Sequence, residues 1–313
     1  MEKLLDEIES YWSTRTEGYS EVNHKELAGT QKNSWLKVLT SQFPDKPKEE
    51  IRILDIGTGP GFFPVILAEA GYHVDAVDYT EGMLEKAKEN AGELCRNIHF
   101  QRMDAQKLEF EDNTFDVVIS RNLTWNLEHP DVAYREWVRV LKVGGKLLNF
   151  DANWYGYLYE EEQRKAYEND RKNVENNSLD DHYLCTDIER MERIALQVPL
   201  SKIRRPEWDV KTLREAGLLG IHTDTEIWKT VWSEEERLNY QSTPMFMVTG
   251  VKPDHFLNLP VVEGEKTEGF LEIGDGEFTL PATIIRGKNP GKTVLVTAGL
   301  HAGEYVGIQT LIE

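Results

Sequence analysis

Ile53-Leu-Asp55-Ile-Gly57-Thr-Gly59-Pro-Gly61 is the stretch whose reading decides the fold. Its aliphatic start reads as the end of a buried parallel strand, with Asp55 close to the tip. Gly57, Gly59 and Gly61 follow at every second position, and Phe62 to Ala70 is helix-compatible. Glycines in a strand-to-helix turn let the backbone come within contact distance of a ligand, because no Cβ stands in the way. The next helix offers unpaired N–H groups to the same ligand. A dinucleotide fingerprint would read G-x-G-x-x-G, and here the third glycine arrives one residue early.

Outward from that turn, strands and helices alternate. Tyr72 to Val77 reads as a second strand ending in Asp78, where an acidic residue usually binds ribose hydroxyls. Glu81 to Asn90 reads as a helix, and Ile98 to Gln101 as a short strand leading to Asp104-Ala105. Phe115 to Ser120 is a fourth strand, and Pro130 to Leu141 carries Val132, Trp137, Val138 and Leu141 at helical spacing. Val143 to Lys146 is expected to turn, and Leu147 to Asp151 to form a fifth strand. Farther on, Glu207 to Gly217 reads as a helix capped by Gly217. Ile221 to Val231 and Met245 to Val251 read as the last two strands, an antiparallel pair.

Asp55-Ile-Gly57-Thr-Gly59-Pro-Gly61, Asp78, Asp104-Ala105, Phe115-Asp-Val-Val-Ile119 and Leu141-Lys-Val-Gly-Gly145 together resemble class I S-adenosylmethionine-dependent methyltransferases. Five signals in the same order and spacing say far more than the glycines alone. The resemblance covers roughly residues 50–152 and continues more weakly to about 250. It implies an α/β fold: a doubly wound, Rossmann-like, seven-stranded sheet with a helical N-terminal lid and a helical insertion, in a domain spanning 1–252. The implied cofactor is S-adenosylmethionine. Asp55 would then orient the methionine amino group, and the backbone of Gly57, Thr58, Gly59 and Gly61 would lie along the methionine and ribose. Asp78 would take the ribose hydroxyls, and Asp104 with the Ala105 N–H would read the adenine. Tyr79, Met83, Arg121 and Asn122 are assigned to the same cofactor site.

Residues 1–50 read as helical, with aromatic anchors at Tyr11, Trp12, Tyr19 and Trp35. Tyr11-Trp12-x-x-Arg15-x-x-x-Tyr19 resembles the methyltransferase lid, which would bring the Tyr19 hydroxyl and Arg15 to the cofactor carboxylate. The competing reading is that these aromatics only pack the helix on the core. Residues 153–206 interrupt the alternation and are rich in aromatics, Tyr155, Tyr157 and Tyr183 among them. Following the fifth strand, they can cover the carboxyl ends of the strands as a substrate cap, or else form a peripheral helical hairpin.

The acceptor side is less explicit. The N/D-P-P-Y/F motif of many nucleic-acid nitrogen methyltransferases is absent after the fourth strand. Asn122 and Trp125 are candidates to line the pocket, Trp125 by packing against a cation. No catalytic residue is fixed. The candidates are His129, for its near-neutral pKa, and Tyr155 and Tyr157. His129 sits beside Pro130 at a helix start, which equally suits a structural role.

The 313-residue chain carries a formal net charge of −19. Phosphate backbones are bound through Lys and Arg, so an acidic chain repels nucleic acid unless a basic patch overrides it. Lys202-Ile-Arg204-Arg205 is too short to do so. A small-molecule substrate is therefore expected, with no nucleic-acid partner. No stretch approaches the ~20 apolar residues of a membrane span, and the acidic N-terminus is no signal peptide, so no membrane partner is expected. Cys95 and Cys185 make no disulfide framework, which points to a cytoplasmic location. Oligomeric state has no signature here.

Residues 256–313 begin a different β pattern: Gly269 to Ile273, Phe278 to Arg286, then Lys292 to Ala298. With His301-Ala-Gly-Glu304 after it, this resembles the start of the succinylglutamate desuccinylase and aspartoacylase branch of zinc hydrolases. That resemblance maps zinc ligands onto His301 and Glu304. A catalytic zinc normally needs three protein ligands, and no later His follows. The expectation is a small, β-rich, truncated hydrolase-like fragment that holds no metal. Two other functions remain open at this level: a zinc-dependent amidase or deacylase, and a module that binds S-adenosylmethionine or another adenine nucleotide without methylating.

Overall fold

The apolar runs read as strands do form strands. In the computed structural model, β1 (Arg52–Ile56), β2 (His73–Asp78), β3 (Ile98–Arg102), β4 (Phe115–Arg121) and β5 (Leu141–Asp151) pair in parallel, while β7 (Phe246–Val251) lies antiparallel between β5 and β6 (Leu219–Asp224). The order is β3-β2-β1-β4-β5-β7-β6, a doubly wound Rossmann-like sheet of seven strands. The structure describes residues 4–183, 186–256, 258–273 and 278–287. Cys185, His301, Glu304 and the strand expected over Lys292 to Ala298 lie outside the described residues.

Ten helices are described around and before these strands. α1 (Leu4–Ala28) and α2 (Gln31–Thr40) precede β1. α3 (Phe62–Glu69), α4 (Glu81–Ala91) and α5 (Pro130–Val140) connect the parallel strands. α6 (Glu161–Asn176) and α7 (Ile188–Ala195) form the insertion, and α8 (Glu207–Glu215) leads into β6. α9 (Trp228–Val231) and α10 (Glu234–Asn239) link β6 to β7.

The core forms one layer on each side of the sheet, because central strands buried on both faces need cover on both. On one side Phe115, Val118 and Leu147 pack with Tyr134 and Trp137 of α5 and Leu213 of α8. On the other, Ile53, Val117 and Phe150 pack with Trp35 of α2, Phe63 of α3 and Val231 of α9. Trp35 meets Phe63 and Phe150 edge-on at 5.1 and 5.0 Å between centroids. Strand order reverses between β1 and β4, and in such sheets the ligand crevice opens at the carboxyl ends of the strands flanking the reversal.

Three local expectations need correction. The strand expected over Ile221 to Val231 stops at Asp224, whose carboxylate accepts the Glu226 N–H in a turn. α9 and α10 follow, the second started by a capping box in which Ser233 and Glu236 satisfy each other's backbone N–H. The turn expected at Val143 to Lys146 lies within β5, where the Gly144 N–H donates to the Lys252 carbonyl and the Lys252 N–H to the Gly145 carbonyl. Gly217 lies one residue past the cap Ala216, at φ +100°, a conformation that favours glycine.

The chain divides into two units, 1–254 and 255–313. In the second, the described residues form β9 (Leu259–Val261), which pairs with β8 (Asp254–Phe256), and an antiparallel hairpin of β10 (Lys266–Ile273) and β11 (Phe278–Ile285). The hairpin starts three residues before the expected Gly269.

Candidate cofactor and acceptor site

After β1 the chain turns into α3 through Gly57, Gly59 and Gly61, at φ +69°, +53° and +91°. The Gly57 and Thr58 N–H groups both donate to the Val77 carbonyl, at 2.8 and 3.0 Å, which hangs the turn on β2. A Cβ at Gly57 would lie 2.7 Å from Leu123, and one at Gly61 would lie 3.0 Å from Ala87 of α4. At Gly59 only the Tyr19 ring is near, at 3.5 Å. Gly57 and Gly61 thus serve backbone conformation and packing, while Gly59 keeps open backbone beneath Tyr19.

Asp78 closes the turn from the end of β2. The Gly59 N–H donates to its Oδ2 at 2.9 Å and the Thr80 N–H to its Oδ1 at 2.8 Å. Burial pushes its carboxyl upward, opposed by these backbone donors. Each oxygen still has lone-pair capacity for another donor. Asp78 lines a first cavity with Tyr19, Gly57, Gly59, Tyr79 and Met83. Asp104, Ala105, Arg121 and Asn122 form its other side. The cavity measures about 100 Å³ because α1 lies over it, contributing Ile8, Glu9 and Trp12. That helix is fixed over α4 by Lys86–Glu17 at 3.0 Å and Asn90–Ser20 at 3.3 Å.

Arg121, at the end of β4, makes a bidentate pair with Glu26 of α1, at 2.8 and 2.9 Å. Its guanidinium lies 4.7 Å from the Phe62 ring centroid. Burial alone would lower its pKa, but Glu26 more than offsets this and holds it charged. Asp55 is 2% exposed. Burial pushes its carboxyl up to about 7, with the Thr58 hydroxyl and Arg121 pulling the other way.

A second cavity of about 570 Å³ adjoins the first and shares Trp12, Tyr19, Arg121 and Asn122 with it. Its walls are aromatic. Trp125 lies against Tyr155 at 5.0 Å between centroids, and Tyr240 meets Trp154 and Trp232 at 5.2 and 5.6 Å. His182, also in the wall, is held between Tyr240 Oη at 2.9 Å and Glu235 Oε1 at 3.0 Å. Beneath this wall, Asp151 accepts from the Trp125 N–H at 3.0 Å and from Trp154 Nε1 at 3.0 Å. Asp151 is paired in turn with Arg205 at 2.7 Å, and Arg205 also holds Asp209; all three side chains are fully buried.

The chain segment carrying this geometry is the one that matches known proteins. Residues 54–149 match the methyltransferase domain family. An uncharacterized protein of Haemophilus influenzae is 34% identical over 164 residues, covering 47% of this chain and 63% of that protein. The demethylmenaquinone methyltransferase of Clavibacter sepedonicus is 39% identical over 97 residues, covering 31% of this chain and 39% of that enzyme. The chain therefore spans less than two thirds of the length of these relatives. Among solved structures, phosphoethanolamine N-methyltransferase 2 of Haemonchus contortus, in complex with S-adenosyl-L-methionine, superposes with a TM-score of 0.50 at 20% identity. It covers 71% of this chain and 53% of that one, a likeness of fold.

In and around the matched segment, ten of the thirteen residues assigned to the cofactor line the first cavity. Asp55, Thr58 and Gly61 do not. Arg121 reaches the wall already paired with Glu26. Arg15 lines the second cavity, not the first. His129 is outside both: it is exposed at the start of α5, and its backbone N–H donates to Gln106. Tyr157 is also outside, its hydroxyl donating to Glu192. Tyr155 is in the second cavity, where burial and neighbouring tyrosines raise its hydroxyl well above the usual range and so disfavour its ionised form. Among the described residues no group of three or more His, Cys, Asp or Glu side chains could hold a metal ion.

Sequence reading missed Asn23, Glu26, Glu236 and Tyr240 in the second cavity. One signal for the first two was available. Thr16, Ser20 and Asn23 recur at helical spacing on α1 and are buried, as is Glu26. A polar stripe on the inward face of a helix points to a wet or ligand-bearing interface.

Proposed function

We propose that this chain is an S-adenosylmethionine-dependent methyltransferase acting on a small molecule. The observation that carries the reading is the pair of adjoining cavities at the carboxyl ends of β1 and β4. The first has the glycine turn and Asp78, the second has aromatic walls, and both meet at Tyr19, Arg121 and Asn122. Two molecules held in these cavities would be aligned at that junction, which is the main task of a transfer enzyme. The cofactor supplies an electrophilic methyl group on a positively charged sulfur.

The chain's own residues then bind and orient. Asp78 accepts the ribose hydroxyls with the lone pairs its two backbone donors leave free. Gly57 and Gly59 offer backbone to the methionine and ribose, and Asp104 with Ala105 faces the adenine. The fit is supported by two buried oxygens that lack a partner, Asn122 Oδ1 and Asn126 Oδ1, both on residues of the first cavity. Each would accept an N–H from a ligand. A cavity of about 100 Å³ lies below the ~300–1,000 Å³ of most small-molecule sites, so α1 must yield when the cofactor enters. Glu26 keeps Arg121 in the shared wall.

The acidity of the chain and the names of its relatives, which include enzymes for demethylmenaquinone and phosphoethanolamine, favour a small acceptor. Among the described residues no helix is long and apolar enough to cross a membrane. Cysteine usage favours a cytoplasmic location. Residues 256–313 keep the sequence resemblance to zinc hydrolases, and we read them as a separate hydrolase-like segment. The test is transfer of labelled methyl from S-adenosylmethionine to a pool of small metabolites or to total nucleic acid. Label in the metabolites is expected. Label confined to nucleic acid would overturn the small-molecule reading.

A further inference from the structure

We propose that the second cavity binds its small molecule through a protonated amine that carries N–H donors, an inference that rests on the methyltransferase reading above. Three independent features of the wall converge on this chemistry. The first is its rings. Trp125, Tyr155, Trp154, Trp232 and Tyr240 present aromatic surface to one space, and a cation gains on the faces of such rings.

The second is charge. The lining includes five carboxylates (Glu21, Glu26, Asp180, Asp181, Glu236) against three cations (Arg15, Lys25, Arg121). Glu26 pairs with Arg121, Asp180 with Lys25, and Asp181 with Arg171 beside the wall, which leaves Glu21 and Glu236 against Arg15, an excess of one negative charge. An anionic ligand would be repelled there, and a cation attracted.

The third is hydrogen bonding. Asn23 is 2% exposed, lines the cavity, and its Oδ1 has no hydrogen-bond partner. A buried acceptor without a donor is costly, and ligands that bring a donor relieve that cost. A neutral arene would use the rings and leave this oxygen unpaired. A quaternary ammonium would satisfy rings and charge but brings no N–H. A primary or secondary ammonium satisfies all three.

The experiment titrates the full chain, saturated with S-adenosylhomocysteine, and follows the fluorescence of the wall tryptophans. Benzylamine near pH 7 should quench it saturably. Benzyl alcohol, benzoate and benzyltrimethylammonium should each bind at least roughly tenfold more weakly, the difference expected for a charge-assisted hydrogen bond. Asn23→Leu should cost benzylamine roughly tenfold in affinity without lowering the melting temperature, since it removes an acceptor that had no partner. If that variant fails to fold, Glu236→Gln should show a loss of about fivefold by the weakening of the negative field. Benzoate, the alcohol or the quaternary ion binding as tightly as benzylamine would overturn the proposal. So would a folded variant with full amine affinity. Binding of S-adenosylhomocysteine without any binding of benzylamine would sink this inference and leave the methyltransferase reading standing; no binding of S-adenosylhomocysteine would remove both.

Discussion

Replacing Asp55 with Asn should stabilise the ligand-free protein, and the gain should depend on pH. Asp55 is buried in β1, and its carboxyl is pushed from 3.8 to about 7, chiefly by burial. An acid with a higher pKa in the folded chain than in the unfolded one favours folding while it is protonated. That contribution is fully present below about pH 3.8, fades as pH rises, and is gone above about pH 7. The gap is about 3 units at about 1.4 kcal/mol each, so ionising Asp55 costs the fold about 4 kcal/mol. Asparagine has the same shape and does not ionise. Asp55→Asn should therefore match the wild type near about pH 4 and exceed it by up to about 4 kcal/mol near about pH 8. Urea unfolding of both proteins across this range, followed by tryptophan fluorescence, measures the difference, and the other carboxylates cancel in it. A variant less stable than wild type at about pH 8, or a difference that does not change with pH, would refute the argument.

Other expectations concern the charges that hold the walls. Arg205→Met leaves Asp151 and Asp209 buried without their cation and should cost about 3–5 kcal/mol in thermal unfolding; a loss below about 1 kcal/mol would mean that the network relaxes freely. Glu26→Ala strands the Arg121 guanidinium and should cost about 3 kcal/mol, with Glu26→Gln recovering part of it; equal effects in both variants would deny the ion pair its role. Gly57→Ala should lose roughly 1–2 kcal/mol to its left-handed backbone and more to Leu123. Adding Leu123→Ala should restore only the steric part, and full restoration would show that backbone conformation contributes nothing.

What the sequence made legible was local. The β1 turn, Asp78 at the end of β2 and Asp104-Ala105 after β3 lie within short stretches whose residue order is itself the signal. Ten assigned residues consequently meet at one cavity. The rest depends on partners far apart in the chain. Arg121 and Glu26 are 95 positions apart, and Arg205 and Asp151 are 54 apart, with no local pattern to join them. Lys202-Ile-Arg204-Arg205 read as a basic cluster, although Arg205 is buried and paired with Asp151. The overlong strand over Ile221 to Val231 had a similar cause. Ile227 and Val231 suit a strand by propensity, but they pack in one core layer four residues apart, and the Val231 N–H donates to the Ile227 carbonyl, as in a helix. Asp55 and Gly61 belonged to the motif, yet they do not line the cavity, because the stretch that shapes a turn is longer than the surface the turn exposes.

The central claim is that the glycine turn and Asp78 form a cofactor site. Calorimetric titration with S-adenosylhomocysteine tests it most directly, with wild type and Asp78→Ala compared at equal melting temperature or corrected for any difference. Wild type should bind saturably at one site. The variant loses a buried carboxylate that would accept the ribose hydroxyls, about 2–3 kcal/mol, so its affinity should fall roughly 30- to 150-fold. No heat from wild type, or the same affinity in both proteins, would contradict the account.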